Sequence, residues 1–238
     1  MQTWTGFDSN RLEILLGAIS KHQGIRKPSQ NGRPLAQRLK GMVRGIGLTT
    51  RDFSIISNNC FAGWIYQGYN LPYLSPTVGL FIMADDFLAL LSDLERHVLS
   101  TPAFIAPDES RYRDHLAQTC SPFGRYPIGL LNDEVEVHFL HYGSQSEATA
   151  NWCRRAARIN WDRLIVKFND QNLCTDAHIQ RFCQLPFERK ICFTARPFPD
   201  CEAVYFLRED AGQPCVVSEK QVYRRYIPVK RYLNSLSS

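Results

Sequence analysis

Residues 53–69 read Phe53-Ser54-Ile55-Ile56-Ser57-Asn58-Asn59-Cys60-Phe61-Ala62-Gly63-Trp64-Ile65-Tyr66-Gln67-Gly68-Tyr69. The first five residues form a short apolar run rich in β-formers, which predicts a buried strand. Asn58 and Asn59 are turn formers. Residues 60–69 then read as a helix. A strand that turns at once into a helix is the repeating unit of an α/β fold.

The same alternation continues outward. Residues 71–76 are a proline-bounded loop, and 78–83 read as a buried strand. Asp85 and Asp86 suit the positive first turn of a helix that continues through Phe87, Leu88, Leu90, Leu91 and Leu94. Residues 100–127 hold four prolines and read as irregular. A strand is expected at 135–142. Ser144 and Glu147 have capping-box spacing ahead of a helix to 159. Another strand falls at 164–168, a helix after Thr175 through Ile179 and Phe182, and a strand at 191–194. The tail, 203–233, has strand-like pieces and a basic end. Together these predict an α/β domain over 52–238. Its sheet is mostly parallel, sandwiched by helices and Rossmann-like, with right-handed connections.

Residues 1–51 differ. The chain of 238 residues carries a net charge of +5, yet 1–51 alone hold nine Lys/Arg against two acids. The remainder is near neutral. Leu35, Leu39, Met42, Val43 and Ile46 recur at helical spacing, with Arg38, Lys40 and Arg44 on other faces, so a basic amphipathic helical arm is expected. It either packs on the domain or associates weakly with an anionic membrane surface, the cytoplasmic face of the inner membrane. The stretch 24–34, with its Gly, Pro, Ser and Asn, reads as a mobile loop.

Composition excludes several classes. With 44% hydrophobic and 21% charged residues the chain is neither disordered nor collagen-like. No apolar run approaches the roughly 20 residues of a bilayer span. Asp8 and Glu13 intrude on the hydrophobic stretch near 11–19 and no cleavage site follows, so a cytoplasmic chain is expected. The eight cysteines show no C-x-x-C pair, so free thiols, mostly small core residues, are expected. There is no P-loop, G-x-G-x-x-G, kinase set or H-E-x-x-H. No cofactor and no metal are expected: His138 and His141 lie three apart, on opposite faces of a strand, without a clear third ligand. His138 reads as a packed, hydrogen-bonded core residue. No nucleic-acid motif is present.

In an open parallel sheet, ligands bind beyond the carboxyl ends of the strands. That rule selects Asn58, Asn59 and Cys60, then His141 and Tyr142, then Asn169 and Asp170, then Arg196. Cys60 is the sharpest candidate, since a thiol at a helix start gains from unpaired N–H groups that lower its pKa and can bind an oxyanion or a phosphate. The expected catalytic set is Cys60 as nucleophile, His141 as base and Asn59 or Asn58 as orienting or oxyanion group. Arg154 and Arg158, four apart on the following helix, either clamp a phosphate or carboxylate or form a solvated face. In the alternative reading Cys60 is a core residue, and Ser57, Asn58, Tyr142, Asp170, Arg154, Arg158 and Arg196 bind a ligand without chemistry.

Several stretches resemble a bacterial family of unknown function labelled exopolysaccharide biosynthesis proteins. They are Ile55-Ile56-Ser57-Asn58-Asn59-Cys60, the run from Leu71 to Leu80, His138-Phe139-Leu140-His141-Tyr142, the run from Trp152 to Asn160, and Val166-Lys167-Phe168. The resemblance covers roughly 52–196 and is distantly similar to papain-like cysteine peptidases. It implies surface-polysaccharide biosynthesis or modification, for capsule, exopolysaccharide or lipopolysaccharide. The expected activity is a cysteine-dependent acyltransferase or hydrolase acting on a glycan precursor or sugar-phosphate. The alternative is a non-catalytic module for a phosphorylated or sugar-nucleotide ligand.

Overall fold

A computed structural model describes residues 34–237; most of the arm and all but the last residue of the loop expected at 24–34 lie outside the described residues. In chain order the elements begin with α1 (Leu35–Arg44), β1 (Ser54–Ser57), α2 (Phe61–Gly68), α3 (Ala84–Ser92), α4 (Leu94–Leu99), β2 (Ala103–Ile105), α5 (Arg113–Thr119), β3 (Ile128–Leu131) and β4 (Val135–His138). Then come α6 (Gln145–Ala156), β5 (Leu164–Asn169), α7 (Asp176–Gln184), β6 (Lys190–Thr194), β7 (Val204–Phe206), α8 (Glu219–Tyr226) and α9 (Val229–Asn234).

The fold is mixed α/β, with a four-stranded sheet ordered β1-β5-β6-β7 in which all neighbours are parallel. Side chains alternate across it. Ile55, Ile165, Ile191 and Phe193 face one core with α2, α8 and α9. Ile56, Val166, Phe168 and Cys192 face a second core with α3, α6 and α7. Coverage on both faces explains why these strands read as continuous apolar runs.

A second sheet, β2-β3-β4, is antiparallel. It changes three expectations. The stretch 100–127 contains β2 and α5. The strand expected at 135–142 stops at His138 and belongs to this second sheet, not to an edge of the parallel one. The run 78–83 is no strand: Phe81 alone bridges His138. Pro72 and Pro76 lack donors, and Gly79 at φ 84° turns the chain away from extended pairing. Residues 203–233 form β7 and then two helices rather than strands.

The helix expected in the arm forms, but with an unexpected side inward. α1 approaches α2 through Gly41, where a Cβ would meet the Asn70 Cβ at 3.0 Å. Leu35, Leu39, Met42, Val43 and Ile46 stay exposed, so the apolar stripe does not pack on the domain. The cysteines also depart from expectation: Cys183 and Cys201 form a disulfide, and the other six are free. Those two are 18 residues apart, and the fold places their Cα atoms 5.9 Å apart, within bridging range.

Candidate functional site

The site forms where the two sheets are spliced. Residues 78–82 act as the splice. Ile82 N–H donates to Asn58 O at 3.0 Å beside β1. Phe81 exchanges both backbone bonds with His138, and His141 N–H donates to Gly79 O at 3.0 Å. Tyr142 Oη donates to Val78 O at 2.6 Å. The loop after β4 is thereby held against the carboxyl end of β1, and Cys60 Sγ lies 3.6 Å from His141 Nε2 across 81 residues of sequence.

Cys60 caps α2 and is partly buried. Burial pushes its thiol up to about 11, opposed by the positive charges of Lys220 and Lys167 and reinforced by Glu219. Burial, and then Lys220, push His141 down. The pair therefore rests as neutral thiol and neutral imidazole. The expectation of a lowered thiol pKa is not met, because burial is the largest influence on Cys60. The helix end is also occupied: Phe61 N–H donates to Asn59 Oδ1 at 3.1 Å, and Ala62 N–H to Ser57 Oγ at 3.3 Å. These two donors are satisfied from within the chain and are not free for an oxyanion or a phosphate.

Behind Cys60 lies a charge pair that the sequence reading did not single out. Lys167 and Glu219 are both buried, with Nζ 2.6 Å from Oε1. Lys167 Nζ also donates to Asn59 Oδ1 at 3.1 Å, and Asn59 Nδ2 donates to Glu219 Oε2 at 3.1 Å. Asn169 Nδ2 donates to the same Oε2 at 2.7 Å, and Asn169 Oδ1 accepts from Asn58 Nδ2 at 2.8 Å. Burial pushes the Lys167 ammonium down, and Glu219 opposes this. A lone lysine inside Leu164-Ile165-Val166-Lys167-Phe168 is the one available signal, because a charge in a doubly covered strand demands a buried partner. Lys220 is exposed, 5.8 Å from the Trp64 ring, and is the cation nearest in influence to both Cys60 and His141.

Of the candidate residues, Cys60 and His141 meet. Asn59 is spent on Lys167, Glu219 and Phe61 N–H and does not orient His141, whose buried Nδ1 has no hydrogen-bond partner among the described residues. Asn58 is buried, and its Oδ1 has no hydrogen-bond partner among the described residues. Ser57 Oγ donates to Asn59 O at 2.8 Å and shapes the turn. Tyr142 is buried and accepts from Arg155 Nη1 at 2.6 Å. Asp170 accepts from Ala195 N–H and Val216 N–H at 2.7 and 2.8 Å, tying β5 to later segments. Arg196 pairs with Asp176 at 2.6 Å.

Of the two readings of Arg154 and Arg158, the solvated one matches their exposure. α6 ends at Ala156, so Arg158 lies beyond it, and Arg154 bonds Asn151 at 2.5 Å. The buried arginine is Arg155, over the Tyr73 ring. His138 is packed as expected, stacked on Phe81 at 4.6 Å, but among the described residues neither ring nitrogen has a hydrogen-bond partner, and Glu136 Oε2 lies 3.8 Å from Nε2. No group of three or more His, Cys, Asp or Glu suited to a metal occurs among the described residues.

Comparison with known proteins adds context. A family model described as Domain of unknown function (DUF1919) matches residues 31–236. An uncharacterized protein of Haemophilus influenzae is 32% identical over 161 residues, covering 68% of this chain and 70% of that protein. No helix among the described residues is long and apolar enough to cross a membrane.

Proposed function

We propose that this chain, which belongs to the Domain of unknown function (DUF1919) family, is a cysteine-dependent acyltransferase or hydrolase acting on a surface-glycan precursor. The observation that carries the reading is the 3.6 Å contact between Cys60 Sγ and His141 Nε2 at the carboxyl end of β1. A neutral pair works by general-base catalysis. As sulfur attacks an acyl carbonyl carbon, the thiol proton passes to Nε2 and the carbonyl electron pair moves onto oxygen. Collapse restores the carbonyl and expels the leaving group, which takes the proton from Nε2. Water or a sugar hydroxyl then attacks the thioester, His141 again accepts the proton, and the thiol is released. With two first-turn N–H groups of α2 capped internally, Lys220 supplies the positive charge for the oxyanion or for an anionic substrate.

The glycan setting is supported by the resemblance of the stretches around Cys60, His141 and Lys167 to exopolysaccharide proteins, and the distant papain-like similarity agrees with a Cys–His pair. The same reading takes the parallel sheet as Rossmann-like and places the chain in the cytoplasm. The test is incubation with an acetyl thioester, followed by intact mass and peptide mapping. One acetyl group on Cys60 is expected, absent in Cys60→Ala and formed on the order of a hundredfold more slowly in His141→Gln. An unlabelled wild-type chain, or equal labelling of Cys60→Ala, overturns the proposal.

The raised Cys60 thiol favours one second reading, a non-catalytic module for a phosphorylated or sugar-nucleotide ligand held near Lys220. Its signature is no acetyl adduct, together with slower alkylation of Cys60 when inorganic phosphate or a sugar nucleotide is added.

A further inference from the structure

We infer that α1, together with the cleft beside α8 and α9, is a docking surface for an anionic lipid bilayer. Nine large hydrophobic side chains are exposed among the described residues, and five of them, Leu35, Leu39, Met42, Val43 and Ile46, lie on this one segment at 52–70% exposure. At 3.6 residues per turn these five fall on one arc, Lys40 and Arg44 flank one edge and Arg38 the other. The helix is anchored on its far side by Gly41 and Gly45, so the arc points away from the domain.

Next to it opens a cleft of about 620 Å³ lined by Tyr69, Arg224, Pro228, Lys230 and Arg231, among others. At its edge, over Gly68, Arg44 of α1 approaches Arg224, which lines the cleft. A Cβ on Gly68 would lie 3.1 Å from Arg224 Nη2 and 3.4 Å from Arg44 Nη1. Arg44, Arg224, Lys230 and Arg231 have no carboxylate partner among the described residues. The cleft and the stripe are joined, since Lys230 Nζ donates to Ile46 O at 2.7 Å and Arg44 Nη1 to Gly68 O at 3.1 Å.

Two guanidinium groups brought together without a carboxylate call for an external anion, and phosphate suits them. An exposed apolar arc beside them calls for hydrocarbon. An anionic bilayer offers both at the same depth relation, phosphate above acyl chain. A nucleic acid leaves the apolar arc unmet. A second copy packed about a two-fold axis sets these uncompensated cations against their own kind. Docking here is independent of the Cys60 chemistry.

The test uses the full chain with sedimentable phosphatidylcholine vesicles, with and without about 30% phosphatidylglycerol. Pelleting with the anionic vesicles alone is expected, weakening as salt is raised. Arg44→Gln with Arg224→Gln should lower the partition about 30-fold, roughly fivefold for each charge. Leu39→Ser with Val43→Ser should lower it at least about tenfold. These side chains are exposed, and unchanged circular dichroism verifies folding. Equal pelleting on neutral vesicles, or none on either at low salt, overturns the inference. So does a dimer in solution that Leu39→Ser with Val43→Ser dissociates while no vesicle binds, because a second copy then covers the stripe.

Discussion

Two of the buried charge systems among the described residues are balanced differently. Beside Cys60, Lys167 and Glu219 are both inside and neutralise each other, with Asn59 hydrogen-bonded to both and Asn169 to Glu219. Against the second sheet, Asp86 of α3 and Glu136 of β4 are buried, but their cation is Arg111, whose side chain is about half exposed. Arg111 Nη2 reaches Asp86 Oδ1 at 2.8 Å, and Arg111 N–H and Ser110 Oγ–H both donate to Glu136 at 2.7 Å. Asp86 is thus more than a helix-start residue. Burial pushes it up to about 6, against the pull of Arg111. A pair closed on itself holds one geometry across pH. A pair completed from the surface can be loosened by protons, and here it clasps a loop rather than the site.

The largest effect should come from opening the closed pair. Lys167→Met leaves Glu219 buried and uncompensated, and should cost about 3–5 kcal/mol of stability in urea denaturation. Adding Glu219→Leu should recover most of it. A loss under about 1 kcal/mol in Lys167→Met would mean that the pair does not support the site.

Arg111→Gln should cost less, about 1–2 kcal/mol at pH 8, since the side chain is half in water. The sign with pH follows from Asp86. Its native pKa near 6 lies above the roughly 3.9 of an unfolded chain. The native state therefore holds the extra proton, and this group's contribution is lost as pH rises through about 6. Without Arg111 that pKa rises further, so the loss should be smaller at pH 5 than at pH 8. Equal losses at both would break the contrast between the two systems.

A third measurement sharpens the view of the closed side. Alkylation of Cys60 by iodoacetamide, read by peptide mapping at pH 8, should be at least about tenfold slower in the folded chain than in the urea-unfolded one, whose thiol has the ordinary pKa of about 8.5. A rate that has already levelled off by pH 7 would indicate a thiolate and contradict the neutral pair. The smallest effect belongs to Arg154→Ala, within about 0.5 kcal/mol of wild type and with acetylation of Cys60 unchanged.

The local parts of the site were legible. β1, the Asn58-Asn59 turn, Cys60 and α2 lie within one short stretch, and strand propensity, turn chemistry and helical reading there agree with the fold. The Ser144 cap was equally local, and its Oγ accepts from Glu147 N–H at 3.2 Å. The run at 78–83 was misread because a short apolar segment looks alike whether it pairs as a strand or crosses between sheets. The helix expected to reach 159 ends at Ala156, so Arg154 and Arg158 do not share a helical face, and helix ends are weakly encoded.

By itself, then, the sequence determined that strands alternate with helices, that Cys60 starts a helix beyond β1, and that 35–46 carries an apolar stripe. Each follows from neighbours a few residues apart. Only the tertiary structure decided that His141 meets Cys60, that Lys167 has Glu219 as its partner, and that α1 turns its glycines inward and its leucines out. Those outcomes depend on contacts between residues tens of positions apart and on how closely two backbones approach, and neither is written in local spacing.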